Sequence, residues 1–461
     1  MYRRPLFHRL DIESVVVFRA LHLGDMLCAV PALRALRASL PKARVTLVGL
    51  PWARQFAQRF RSYIDDFVPF PGHPKLPEQE VRHEALTPFY ADMCSRRFSL
   101  ALQLHGNGLV SNEIVAGFGA GTMAGYCRDE PVATEHTVLF PYPELGAESE
   151  RLLSLVERLG AQAVGDYLEF PLAQADRQEL EASGVAPDLA PGSYICVHPG
   201  ARKRDKCWPP QRFAEVADRL AAEFGVRVVL TGSADEAGLA SEVASNMQAK
   251  AINAAAPISI GAMAALMKNA RLLVCNDTGV SHIAAGLRLK SVVIFSKADI
   301  ARWAPLDRDQ HRCIWDPDAQ RSAAVLQHAR ALLVRHRPGT AAHGGDVALL
   351  VKTWKAANAA QTPRSAWLID AMRPGCRAAG LPGLRVAGLR GCGVAGFRGC
   401  GVPGFRGCGV PGLRGCGLRG CGVAGLRGCG VAGLRGCGAA GLRGCGAAGL
   451  RGCGAAGLPP C

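Results

Sequence analysis

Four short polar clusters hold the residue types that could do chemistry in this chain, each placed where an apolar run meets a helix-like pattern. The first is Gly24-Asp25 in FRALHLGDMLCAVPALRAL. Glycine permits a tight turn and close approach of a ligand, and Asp25 either caps the helix or offers a carboxylate to a cleft. The second is VHPGARKRDKCWPP, where Pro199-Gly200 is followed by Arg202, Lys203, Arg204 and Lys206. A cationic loop between strand and helix suits a diphosphate, because charge-assisted hydrogen bonds are the strong ones. A solvated basic loop is the plain alternative, and Trp208 reads as core. In the third, LTGSADEAGLA, Glu236 follows a strand-end glycine. There a carboxylate either takes both hydroxyls of a ribose or simply sits in a first turn, favoured by the helix dipole. The fourth is Asn276-Asp277-Thr278-Gly279 with Ser281 and His282 just beyond. Asp277 or Thr278 can cap the helix that starts there, and the free amides can hold an anion. A structural histidine is the ordinary reading of His282 alone.

The elements that must position these clusters are legible as alternating apolar runs and helical patterns, in two series. The first has strands at 15–18, 44–49, 63–70, 100–104 and 123–126, with a helix over 26–39. The second has strands at 194–198, 226–231, 251–253, 272–275 and 291–295, with helices over 210–224 and 321–336. Strands separated by helices of this length indicate parallel sheets covered on both faces. Two such series, joined near 145–192, predict two Rossmann-like α/β domains. Ligands of such sheets bind beyond the carboxyl ends of the strands, so the site belongs in a cleft between the two. The expected division is 1–170, 171–340, a helix or linker over 341–387, and a repeat tail over 388–461.

Composition excludes several classes. The net charge of +16 owes 12 to arginines beyond Ala371, where there is no Lys, Asp or Glu, which leaves +4 for the first 370 residues. That body carries no nucleic-acid footprint, and a specific nucleic-acid partner is not expected. Seven of the 18 cysteines lie scattered through the body without metal-ligand spacing and read as reduced thiols. No apolar run reaches the length of a membrane span, and the first residues are too polar for a secretory signal. The tail repeats Gly-Leu/Phe-Arg-Gly-Cys-Gly-Val/Ala-Ala/Pro. So little large apolar surface cannot offset the backbone entropy of so much glycine, and the tail is expected to be disordered.

In this order and spacing the motifs LGDMLCAVPALRAL, HPGARKRDKCWP, LTGSADE, NAAA and CNDTGVSHIAAGL resemble glycosyltransferase family 9, the heptosyltransferase-like enzymes of lipopolysaccharide core assembly. The resemblance covers roughly residues 14 to 335. It implies a GT-B fold, with acceptor held mainly by the first domain and nucleotide sugar by the second. It implies Asp25 as general base and Lys206 as the group neutralising a departing diphosphate. Gly200, Arg202, Glu236, Asp277, Thr278, Gly279, Ser281 and His282 would line the donor side, with Glu236 on the ribose; His22 and Gly24 would stand on the acceptor side. No cofactor and no metal are expected, only the nucleotide sugar as co-substrate, with ADP-heptose the leading donor and a lipopolysaccharide-core or related glycolipid the acceptor. A cytoplasmic location with peripheral contact at the inner membrane follows from such an acceptor.

Two departures touch the donor side. Ala201-Arg202 stands where the family often has Ser or Thr, and Ser296-Lys297-Ala298-Asp299 stands where Gly-Pro-Thr-Asp is usual. The rival readings are a transferase using another nucleotide sugar, and a catalytically silent nucleotide-sugar-binding protein. A nucleic-acid-binding role resting on the tail comes third.

Overall fold

The computed structural model describes residues 5–185 and 187–334, with 423–424 and 439–440 of the tail. In the first half the order is β1 (Ser14–Phe18), α1 (Leu23–Leu27), α2 (Val30–Ser39), β2 (Arg44–Gly49), α3 (Arg54–Arg59), β3 (Asp66–Pro69), α4 (His83–Ser95), β4 (Leu100–Gln103), α5 (Ser111–Ala116), β5 (Thr122–Cys127), β6 (Val132–Ala133) and β7 (Thr137–Pro141). Two helices follow, α6 (Glu148–Leu159) and α7 (Gln174–Ser183). The second half runs β8 (Tyr194–His198), α8 (Pro210–Phe224), β9 (Arg227–Leu230), α9 (Ala237–Asn246), β10 (Ile252–Asn253), α10 (Ile260–Lys268), β11 (Leu273–Asn276), α11 (Gly279–Leu287), β12 (Ser291–Phe295), α12 (Ile300–Trp303), β13 (His311–Trp315) and α13 (Ser322–Val334).

Among the described residues the strands form one sheet in the order β3-β2-β1-β4-β5-β7-β6 and another in the order β10-β9-β8-β11-β12-β13. Every pair is parallel except β6 with β7. The central strands bury both faces: Val15 to Phe18 in β1, all of β8, and all of β12. That is why they read as continuous apolar runs rather than alternating ones. Two Rossmann-like sheets are therefore present, as the alternation predicted. Helix α6 packs against α2 of the first layer and α7 against α10 of the second, so the joining segment contributes one helix to each layer.

Local differences from the sequence reading have physical causes. The helix expected over 26–39 is two helices, because Pro31 sits in the first turn of α2; its missing N–H and its ring do not fit a helix continuing from Leu27. The strand expected from Tyr63 starts only at Asp66, since the amides of Tyr63 and Ile64 turn back onto Phe60 O at 2.8 and 3.0 Å. Strand β13 was not anticipated, because HRCIW is only half buried at the sheet edge.

Helix α11 is built from small residues for a reason. A Cβ on Gly286 would come within 2.7 Å of the Glu169 backbone, so the connecting segment crosses the helix directly. Among the described residues no helix is long and apolar enough to cross a membrane. The contacts divide the chain into Met1–Ala341 and Ala342–Cys461. Within the latter, Val423–Ala424 pairs in parallel with Ala439–Ala440, two repeat units on. The remaining expectations for 341–387 and for a disordered 388–461 fall outside the described residues, as does His336 of the expected last helix.

Candidate active site

The site begins where β11 ends. Asn276 is fully buried there, with Nδ2 donating to Pro199 O at 2.8 Å and Oδ1 accepting from the Trp208 amide at 2.9 Å. One side chain thus ties both feet of the cationic loop. Trp208 is core, 2 % exposed, with Nε1 donating to Asp316 Oδ2 at 3.0 Å. The four cations of that loop separate. Lys206 turns inward, its Nζ 3.1 Å from Asp277 Oδ2, whereas Arg204 turns out to Glu242 at 3.6 Å. Arg202 and Lys203 are exposed.

Asp277 is therefore not the helix cap. Thr278 holds that position in extended conformation, and no side chain caps α11. An uncapped helix start leaves backbone N–H groups and the positive end of the dipole for an anion. Ser281, expected to present its hydroxyl to the same place, is buried instead. Its amide and Oγ both donate to Thr278 O, at 3.0 and 2.8 Å, so it braces the turn. His282 is also buried, its Nδ1 3.9 Å from Cys28 Sγ.

The first domain meets this junction through α1, whose N-cap is His22, so Asp25 lies in the first turn rather than opening the helix. Its turn is fixed by Arg19 Nε, which donates to Asp25 O at 2.9 Å. Gly24 and Gly279 touch. A Cβ on Gly24 would lie 3.0 Å from His282 Cδ2 and 3.3 Å from Gly279 Cα, and one on Gly279 would lie 3.2 Å from Gly24 N. Electrostatics report the same convergence. Burial pushes the His282 imidazole below its ordinary pKa, while Asp277 from one domain and Asp25 from the other oppose the shift. Burial and then Arg202 lower His22, with Asp25 again opposing. His22 Nε2 is buried without a hydrogen-bond partner among the described residues.

Glu236 lies at the end of the neighbouring strand connection. Its Oε2 accepts from the Ser233 amide at 2.8 Å and from Ser233 Oγ at 3.1 Å, so it closes a capping box. Its Oε1 lies across Gly200, 2.0 Å from where a Cβ would stand, and Gly200 is therefore required by a close approach. Buried His198, held neutral by that burial with Glu236 opposing, stands 3.8 Å from Oε2.

Sequence reasoning missed a second constellation. Glu148 at the start of α6 is 3 % exposed and meets Arg19 at 3.3 Å, Arg151 at 3.5 Å and Arg302 of α12 at 2.9 Å. Burial alone would raise its carboxyl; Arg19 and Arg302 outweigh this and hold it below the ordinary value. One carboxylate thus links the first sheet's helix layer to α12 of the second half. Beside it, a cavity of about 280 Å³ is lined by Cys28, Tyr167, His282, Arg302, Trp303 and His311, among others. Among the described residues no three His, Cys, Asp or Glu side chains converge as a metal site.

With this geometry in place, comparison with known proteins decides the lineage. The sequence pattern of glycosyltransferase family 9 (heptosyltransferase) matches residues 92–331, more than half of the chain. The chain belongs to glycosyltransferase family 9. Lipopolysaccharide heptosyltransferase 3 of Escherichia coli K12 is 32% identical over 165 residues, 34% of this chain and 46% of that protein, so the match spans about half the length of that relative. The crystal structure of a glycosyl transferase family 9 protein from Veillonella parvula matches with a TM-score of 0.59 at 20% identity, covering 71% of this chain and 99% of that one. The structure of E. coli ADP-heptose lps heptosyltransferase II matches with a TM-score of 0.54 at 19% identity, covering 70% and 99%. These likenesses show the GT-B fold. In this family 9 chain the second, third and fourth motifs lie within the matched span, while the segment carrying Asp25 precedes it.

Proposed function

We propose that this protein is a glycosyltransferase of lipopolysaccharide assembly, moving heptose from ADP-heptose to a lipopolysaccharide-core or related glycolipid acceptor with inversion and without a metal. The observation that carries the reading is the Gly24–Gly279 contact. It sets a carboxylate at the mouth of one sheet, Asp25, beside an uncapped helix start and a lysine at the mouth of the other. A base and an anion seat on opposite walls are what a displacement at an anomeric carbon requires.

In this reaction the acceptor hydroxyl attacks C1 of the sugar while the C1–O bond to the diphosphate breaks. The hydroxyl proton passes to the Asp25 carboxylate, and the electron pair of the broken bond leaves with ADP. A positioned base of this kind contributes about 10² to 10⁴ in rate. Lys206, at present 3.1 Å from Asp277, neutralises the growing charge on the leaving oxygen together with the amides of Thr278 and Gly279. Asp277 holds that ammonium ready, and His282 stays neutral beneath the helix start. Glu236, with Oε2 fixed by Ser233, directs Oε1 to the ribose over Gly200. Arg202, whose charge helps to lower the His22 pKa, adds positive potential to the donor side, with His22 and Gly24 beside the acceptor. A lipid-linked acceptor places the enzyme peripherally at the cytoplasmic face of the inner membrane.

The name of the E. coli structural relative supports ADP-heptose as donor, and that of the sequence relative supports a lipopolysaccharide acceptor. The test is Asp25→Ala. Transfer from ADP-heptose, followed by mass spectrometry of the glycolipid, falls by at least 10²-fold while ADP binding is kept. Unchanged turnover would remove Asp25 from the mechanism.

A further inference from the structure

The loop after β12 reads Ser296-Lys297-Ala298-Asp299, and two of its side chains grip the turn that carries Lys206. Ser296 Oγ donates to Lys206 O at 3.2 Å. Lys297 Nζ donates to Asp205 Oδ2 at 2.6 Å. The loop that does the gripping is itself anchored at both ends. Phe295 is fully buried in the sheet, and Asp299 caps α12 by accepting from the Ala301 amide at 2.8 Å.

The gripped turn needs such support. Residues Arg204–Lys206 form a single 3-10 turn. It is closed by Lys206 N to Lys203 O at 3.0 Å and Cys207 N to Arg204 O at 3.1 Å. Turns of this kind have poor hydrogen-bond geometry and rarely persist alone. Asn276 ties only the feet of the loop, at Pro199 and Trp208. The crest, where Lys206 sits, is held from the β12 side. Glycine and proline at positions 296 and 297 could supply neither the hydroxyl nor the ammonium.

We infer that Ser296 and Lys297 are positioning residues that brace the Arg204–Lys206 turn, keeping the Lys206 ammonium over Asp277 and the start of α11. The consequence for donor binding rests on the reading of that junction as a diphosphate seat. Lys297 acts through Asp205 and the turn. Both partners are more than half exposed, 53% and 58%, so the brace is salt-sensitive and its removal changes binding by about two- to five-fold.

The experiment uses the full chain and has two arms. In the first, amide hydrogen exchange of Lys206 and Cys207 is followed in ligand-free protein, for wild type, Ser296→Ala, Lys297→Ala and Asp205→Ala. All three variants exchange faster at these amides and melt at the wild-type temperature, and for Lys297→Ala and Asp205→Ala the difference shrinks in high salt. Unchanged exchange in the variants overturns the inference, whatever the protein binds. In the second arm ADP is titrated calorimetrically. Lys297→Ala and Asp205→Ala each weaken binding by about two- to five-fold, the double variant is no weaker than either, and the swap Asp205→Lys with Lys297→Asp restores affinity. Weakening by Lys297→Ala alone, with Asp205→Ala neutral or tighter, would make Lys297 a direct anion ligand and overturn the brace. Wild-type protein that binds no ADP would refute the donor reading, with the brace still decided by exchange.

Discussion

Gly24 and Gly279 make a contact that a methyl group on either side would crowd. Gly24→Ala places a Cβ 3.0 Å from the His282 ring and 3.3 Å from the Gly279 backbone, so the two helix starts must part by a few tenths of an ångström or more. Overpacking of this kind destabilises by about 1–3 kcal/mol. The effect on catalysis is larger, because a small misplacement of reacting groups has lowered rates by about 10²-fold. The expected outcome for Gly24→Ala is therefore a fall in kcat of about 10- to 100-fold that exceeds any loss of ADP affinity, although the added Cβ also crowds the His282 ring and the Gly279 backbone of the donor side. Equal losses in ADP affinity and kcat would show that the methyl group deforms the second domain instead. Asp25, Lys206 and Asp277 were legible as candidates because each stands at the end of a readable strand. The glycine contact was not, because it depends on the placing of one domain against the other.

At the scale of elements, the loop between β8 and α8 is the part most dependent on a single side chain. Asn276→Ala leaves the Trp208 amide and the Pro199 carbonyl without their partner inside the protein. Each unsatisfied buried group costs about 1–3 kcal/mol. The melting temperature falls accordingly, and ADP binding weakens because Lys206 loses its footing; a melting temperature equal to wild type would show that water replaces the amide. The strands that sequence reading placed well, β8 and β12, are buried along every residue, which gives an unbroken apolar signal. Strand β13 and helices α6 and α7 lacked that signal. Helix α6 carries Glu148, whose role depends on Arg19, Arg151 and Arg302, three residues far apart in sequence. Its i,i+3 neighbour Arg151 is local, but a glutamate in a polar first turn gives no hint of Arg19 or Arg302. Asn276 was visible as part of a polar knot, but its hold on two distant backbone groups comes from the closure of the loop.

Over the whole molecule, buried histidines set the response to acid. His311, 3 % exposed and 2.8 Å from Ser291 Oγ, is lowered to about 4, by burial first, with His282 and Arg308 adding and Asp307 opposing. His105 is lowered to about 3, by burial and then Arg19. In the unfolded chain both titrate near 6.5. Because the folded values are the lower ones, their contribution is complete above about pH 6.5. It is lost as the pH falls through the window towards 4 for His311 and 3 for His105. Each histidine adds a slope of about 1.4 kcal/mol per pH unit within its window. Denaturant unfolding between pH 6.5 and 4.5 tests this, with His311→Asn expected to flatten the slope by about one proton; an unaltered slope would show that His311 is already protonated in the native state. His311 also lines the cavity beside Arg302 and Trp303, so its protonation is felt at the junction between the sheets. There the Gly24–Gly279 contact has a mechanical meaning. Two backbones that already touch cannot approach further, so the contact is a stop that limits how closely the base wall and the leaving-group wall can come together.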